Sequence, residues 1–137
     1  MKLILLSFFY ICICLFSDAQ VSDLIGTWNL KEFTTFNKNN QETKNEERLR
    51  GDGAVWNLIF MEDSRFKQTS NMSESGMMDT YEGTWKVSGD NLILGLTIMN
   101  RNLELIYNYK IADNNLILER GNPSGTIKII STFRKKQ

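Results

Sequence analysis

Histidine is absent from this 137-residue chain, proline occurs once, and only two cysteines are present. Each shortage excludes something. Without imidazole there is no histidine general base and no histidine-bound metal, and the two thiols, Cys12 and Cys14, both sit inside the apolar stretch near the N-terminus. Beyond that stretch the chain lacks a thiol nucleophile, a disulfide and the usual zinc, copper and haem ligands, so no cofactor or metal site is expected. Charge of one sign is lacking too: 16 Lys plus Arg balance 16 Asp plus Glu, which leaves no basic footprint for nucleic acid or an anionic membrane. Apolar runs of the roughly 20 residues that cross a bilayer as a helix are also missing. No stable membrane insertion is expected.

What is present begins with an export signature. Lys2, the apolar run from Leu3 to Phe16 and then Ser17-Asp18-Ala19 form a charged start, a greasy middle and small residues at positions minus three and minus one. That pattern reads as a secretory signal over residues 1–19, cleaved after Ala19. Ile11 and Ile13 precede the two cysteines where lipoprotein processing wants a small residue, so a secreted or periplasmic protein is expected rather than a lipid-anchored one. Residues 20–137 then form one domain that its core alone must hold together.

From Leu24 onward the sequence reads as short runs rich in β-branched, aromatic and leucine residues, broken by clusters of Asn, Asp, Gly and Ser. Eight runs are expected as strands. The first four are Leu24 to Phe36, Ala54 to Met61, Arg65 to Ser70 and Met78 to Val87; the last four are Leu92 to Ile98, Leu103 to Ala112, Asn115 to Arg120 and Thr126 to Arg134. In the sixth, Leu103, Leu105, Tyr107, Tyr109 and Ile111 share one face, while Asn102, Glu104, Asn108 and Lys110 share the other. A sheet apolar on one side and wet on the other must fold over its own apolar face. Connectors after the second, fourth and sixth runs are tight and polar, whereas those at 37–53, 71–77 and 121–125 are longer, which predicts one sewn end and one loose end. The loose end is the expected mouth.

Leu24-Ile25-Gly26-Thr27-Trp28 at the first run, the long first connector, the hairpin series and Ser131-Thr132-Phe133-Arg134 at the last run resemble small secreted bacterial lipocalin-like domains, within the wider lipocalin and fatty-acid-binding-protein group. The resemblance implies an all-β, eight-stranded antiparallel up-and-down barrel over residues 20–137. It also implies a structural clasp, in which a basic residue of the last strand, here Arg134, stacks on Trp28 for about 0.5–2 kcal/mol. An even strand count brings the last strand's end back to the first strand's start, which supports the same neighbours independently. The likeness is to the architecture, and no ligand is implied by it.

An eight-stranded barrel is just wide enough to be filled by its own side chains or to hold one small ligand. The inward apolar positions expected to form a ligand wall are Leu30, Trp56, Leu58, Phe60, Phe66, Tyr81, Leu94, Leu96, Leu105, Tyr107 and Tyr109. Met72, Met77 and Met78 flank the mouth as adaptable thioethers. Arg50-Gly51-Asp52 matches an integrin-recognition tripeptide but reads as a turn, and Asp79 with Glu82 reads as solvent-facing rather than as a catalytic acid pair. The expected function is non-catalytic binding of a small apolar or amphipathic ligand. A filled barrel acting through its surface loops as an envelope or extracellular protein-interaction module is the alternative, and the sequence leaves both open.

Overall fold

The computed structural model describes residues 21–137, and the secretory signal expected over residues 1–19 lies outside the described residues. A helical turn at residues 21–24 leads into β1 (Gly26–Asn37), β2 (Asn40–Lys44), α1 (Glu46–Gly51), β3 (Trp56–Phe60) and β4 (Arg65–Ser70). The chain continues through β5 (Asp79–Ser88), β6 (Asn91–Ile98), β7 (Arg101–Ala112), β8 (Asn115–Gly121) and β9 (Ile127–Lys135). Every pairing is antiparallel, and β1 bonds to β9 as well as to β2 and β3. That extra pairing closes β1 and β3–β9 into an eight-stranded barrel, as the alternating runs predict.

The ninth strand corrects one expectation. β3 pairs with Gly26–Asn29 at the start of β1, while β2 pairs with Phe33–Asn37 at its far end, so the 37–53 connector is a hairpin followed by a helix rather than a plain loop. Local chemistry explains both. Lys38 and Asn39 form a turn between the paired strands, and the Asn45 side chain accepts a hydrogen bond from the Arg48 backbone N–H at 2.9 Å, capping α1. Glu46 and Glu47 fill the first turn, where negative charge complements the helix dipole. Six residues with one buried position, Leu49, are too few to display a helical period.

Tight turns gather at one end. Ser64, Gly89, Asp113 and Asn114 take left-handed backbone in the β3–β4, β5–β6 and β7–β8 turns. The 71–78 and 122–126 segments lie at the opposite end, together with a two-residue turn, Met99-Asn100, in which both residues have positive φ. The closed half is solid: Leu24, Leu58, Phe60, Phe66, Leu92, Leu94 and Leu116 are fully buried there with Trp28 and Phe133.

The repeated Gly-Thr-Trp has a shared structural use. Trp28 Nε1 donates to the Leu24 carbonyl at 2.8 Å, and Trp85 Nε1 donates to the Met61 carbonyl at 3.0 Å, so each buried indole is satisfied by backbone. Both glycines leave room for a neighbour. At Gly83 an added methyl would stand 1.9 Å from the Gly95 carbonyl oxygen and 3.1 Å from the Phe66 ring. Gly83→Ala should therefore force the β5–β6 pairing apart, costing about 1–3 kcal/mol and lowering the thermal midpoint by several degrees. Gly51→Ala, where an added methyl meets nothing within 4 Å, should leave the midpoint level or raise it slightly. Equal losses at the two sites in a thermal melt would contradict this packing.

Candidate functional site

At the loop-rich end the barrel opens into a cavity of ≈ 320 Å³. Its wall comes from inward positions near the strand ends: Phe33 of β1, Trp56 of β3, Gln68 and Ser70 of β4, and Asp79 and Tyr81 of β5. Tyr107, Leu118, Arg120, Ile129 and Ser131 of β7, β8 and β9 complete it, with Met72 and Ser73 from the 71–78 segment. Outside the rim, Met77, Met78, Met99 and Ile127 expose apolar side chains. Apolar groups thus continue from the wall into solvent at the entrance.

The expected wall residues divide by depth. Trp56, Tyr81 and Tyr107 line the cavity. Leu58, Phe60, Phe66, Leu94, Leu96 and Tyr109 belong to the buried core, and Leu30 and Leu105 pack partly buried against it. Residues that hydrophobicity alone missed are mostly polar. Period-two counting from Phe66 brings Gln68 and Ser70 to the inner face, and the same count from Phe133 brings Ser131 and Ile129 there. Phe33 escaped because the register of β1 against β9 shifts between Leu30 and Glu32, a bulge that turns odd-numbered positions inward after even-numbered ones. Asp79 faces the cavity while Glu82 points outward to within 4.0 Å of Lys67, so only Glu82 is solvent-facing as expected.

Electrostatics at the cavity are balanced. Arg120 and Asp79 place one charge of each sign on the wall, and the Arg120 guanidinium lies 5.8 Å from the centre of the Tyr107 ring. Burial pushes the Tyr107 phenol above its ordinary value, and Arg120 works against that shift. Tyr109, deeper toward the sewn end, is raised by burial and by the Asp90 charge.

The clasp is present with a different cation. Lys135 Nζ, not Arg134, lies over Trp28, 5.3 Å from the ring centroid, and also donates to the Asp23 carbonyl at 3.1 Å. Register explains the correction: Trp28 pairs with Lys135 and Asn29 with Arg134, so buried Phe133 puts Arg134 outside and Lys135 back on the indole's side. Gly26, at φ 134°, lets the Lys135 stem pass, since an added methyl would sit 2.9 Å from its Cε. Arg134 instead makes two hydrogen bonds to the Glu46 carboxylate, at 3.1 and 3.3 Å, tying α1 to the barrel. The Arg50-Gly51-Asp52 tripeptide forms the end of α1 and its cap, and the Lys44 ammonium holds the Asp52 carboxyl below its ordinary range.

A family model described as a lipocalin-like domain matches residues 24–118. Among solved structures, a lipocalin-like protein from Bacteroides uniformis is 17% identical, with 83% of this chain and 99% of that one covered and a TM-score of 0.54. An uncharacterized protein from Bacteroides eggerthii is 16% identical, with 82% and 99% covered and a TM-score of 0.51. Likeness at these identities is likeness of fold. No curated protein matches the chain.

Two outcomes follow from the geometry. Lys135→Met should cost about 0.5–2 kcal/mol through the lost cation–π contact, and Trp28→Phe should remove most of that difference in a double-mutant cycle read by urea denaturation. A Lys135 effect undiminished in the Trp28→Phe background would refute the clasp. For the tyrosines, the unfolded phenol ionises first, so stability should fall as pH rises from the ordinary tyrosine value near 10 toward the raised folded values. Tyr109→Phe and Tyr107→Phe should each flatten that alkaline loss, measured as urea midpoints at pH 8 and about pH 11.

Proposed function

We propose a binding function from one premise: the chain belongs to the lipocalin-like domain family. Its barrel takes up a small apolar or amphipathic molecule through the loop-rich mouth and performs no chemistry on it. The cavity carries this reading. At ≈ 320 Å³ it stands at the lower end of the roughly 300–1,000 Å³ typical of ligand pockets, so it suits a small molecule or one end of a longer one. Trp56, Tyr81, Leu118 and Ile129 supply apolar wall, and a few polar groups between them fix orientation. Half the interior is already solid, which limits how deeply a ligand penetrates.

Export is part of the proposal. It rests on Lys2, the apolar run from Leu3 to Phe16 and the small residues before the cleavage point at Ala19. A secreted or periplasmic barrel of this kind meets its ligand outside the cytoplasm.

Native mass spectrometry of residues 20–137, combined with displacement of a fluorescent fatty acid, tests uptake directly. Ser131→Leu projects a larger apolar group into the cavity from a buried wall position. It should weaken uptake by about tenfold or more, the 1.4 kcal/mol that a partly filled site forfeits, while the thermal midpoint changes little. No uptake from several lipid classes, or uptake unchanged in Ser131→Leu, would overturn the reading.

A further inference from the structure

Among the described residues, three buried side-chain polar atoms have no hydrogen-bond partner within the protein: Trp56 Nε1, Gln68 Oε1 and Tyr109 Oη. Two of the three residues, Trp56 and Gln68, line the cavity. They are neighbours by register, since Trp56 pairs with Ser70 and Leu58 with Gln68 across β3 and β4. Period two places both side chains on the inner face, diagonal to one another across the two strands. The indole is pinned in place: its ring meets the fully buried Phe133 edge-on, with centroids 5.0 Å apart at 82°. The closed half shows the contrast, because Trp28 and Trp85 each bond to a backbone carbonyl there.

A buried donor or acceptor without a partner loses the hydration it had in the unfolded chain, and the native fold tolerates few such groups. Here an unpaired donor and an unpaired acceptor belong to residues of adjacent strands on one cavity wall, each shielded just behind its surface. We infer that a bound ligand draws Trp56 Nε1 and Gln68 Oε1 to the cavity surface, where they form a polar subsite for an uncharged group that accepts one hydrogen bond and donates another, such as a hydroxyl or a primary carboxamide. This rests on the binding function proposed above and names the class of ligand. A carboxylate or an ester only accepts, so it leaves the Gln68 carbonyl unpaired. A hydrocarbon satisfies neither group. The charges on the wall do not override this, since Arg120 and Asp79 are of opposite sign.

The test is a series of equal chain length on the signal-free protein: octanol, octanamide, methyl octanoate, octanoate and octane, each titrated by calorimetry and checked by native mass spectrometry. Octanol and octanamide should bind roughly ten- to a hundredfold more tightly than octane, as two net hydrogen bonds allow, and more tightly than octanoate or the ester. Gln68→Met and Trp56→Phe should each shrink that preference, read as the ratio of octanol to octane affinity within each variant. Gln68→Met, which keeps the side chain's length, should not lower the thermal midpoint of the free protein, because it removes an unpaired polar atom. If a variant does unfold, the wild-type ranking alone still decides.

Equal binding across the series would overturn the subsite while leaving the binding function standing. Octanoate binding tightest would overturn it also, and would shift head-group recognition to Arg120. Failure of every member and of the fluorescent fatty acid would overturn the binding function itself and the subsite with it.

Discussion

The pairing of β1 with β9 is the constraint on which the rest of this protein depends. Without it the chain would present a sheet with two open edges and a long apolar face. With it, each of the eight wall strands has a neighbour on both sides along the seam, and the apolar face becomes an interior of limited width. Residues at the seam reinforce it at the sewn end. Trp28 lies between the Leu24 carbonyl and the Lys135 ammonium, Lys136 N–H bonds to the Thr27 carbonyl at 2.8 Å, and Leu24 is fully buried beneath. An indole held by backbone on one side and a cation on the other serves as the plug of the barrel.

From that plug upward the interior changes in character. Large apolar side chains alternate with glycines where two strands approach too closely for a Cβ, as at Gly83 beside Phe66 and the Gly95 carbonyl. The lower half fills completely. Above it the inward positions become Gln68, Ser70, Ser131 and Arg120 as well as aromatics, and these do not interdigitate into a dry core. An apolar barrel floor with a mixed polar and aromatic chamber above it is the layout on which the proposed binding function rests.

The β2–α1 excursion has a mechanical place in this layout. It extends the wall beside the far half of β1, and α1 is then tied to the last strand by the Arg134 and Glu46 pair. That pair is exposed and contributes little to stability on its own. Its role is positional, because it joins residues 88 apart in sequence across the same seam that Lys135 clasps. Neighbouring basic residues of β9 thus serve two different partners on two faces of one strand.

Much of the fold was legible from residue order. Alternation in residues 103–111 and the polar turns at Asp113-Asn114 and Ser88-Gly89 depend only on local chemistry, and the strands appear where those signals lie. The cavity was legible in part: Trp56, Tyr81 and Tyr107 line it, whereas Leu94 and Phe66 lie in the floor. Hydrophobicity says that a side chain turns inward but not how far along the barrel axis it sits. Gln68 and Ser131 were hidden because a polar residue on an inner face announces itself only through its strand neighbours. The helix α1 was hidden because a single buried leucine makes no period. The cation over Trp28 was misassigned by one residue because a one-position step changes the face of a strand.

Residue order by itself determined the β class, the turns and the loose mouth, since these follow from period two and turn chemistry, while the meeting of a tryptophan near one end with a basic residue near the other came from the family resemblance and an even strand count. Only the tertiary structure decided which basic residue meets the indole, where the filled floor gives way to a chamber, and which polar atoms stand unpaired within it. Those outcomes depend on register across strands distant in sequence and on how side chains share a closed volume. Local pattern carries no measure of either.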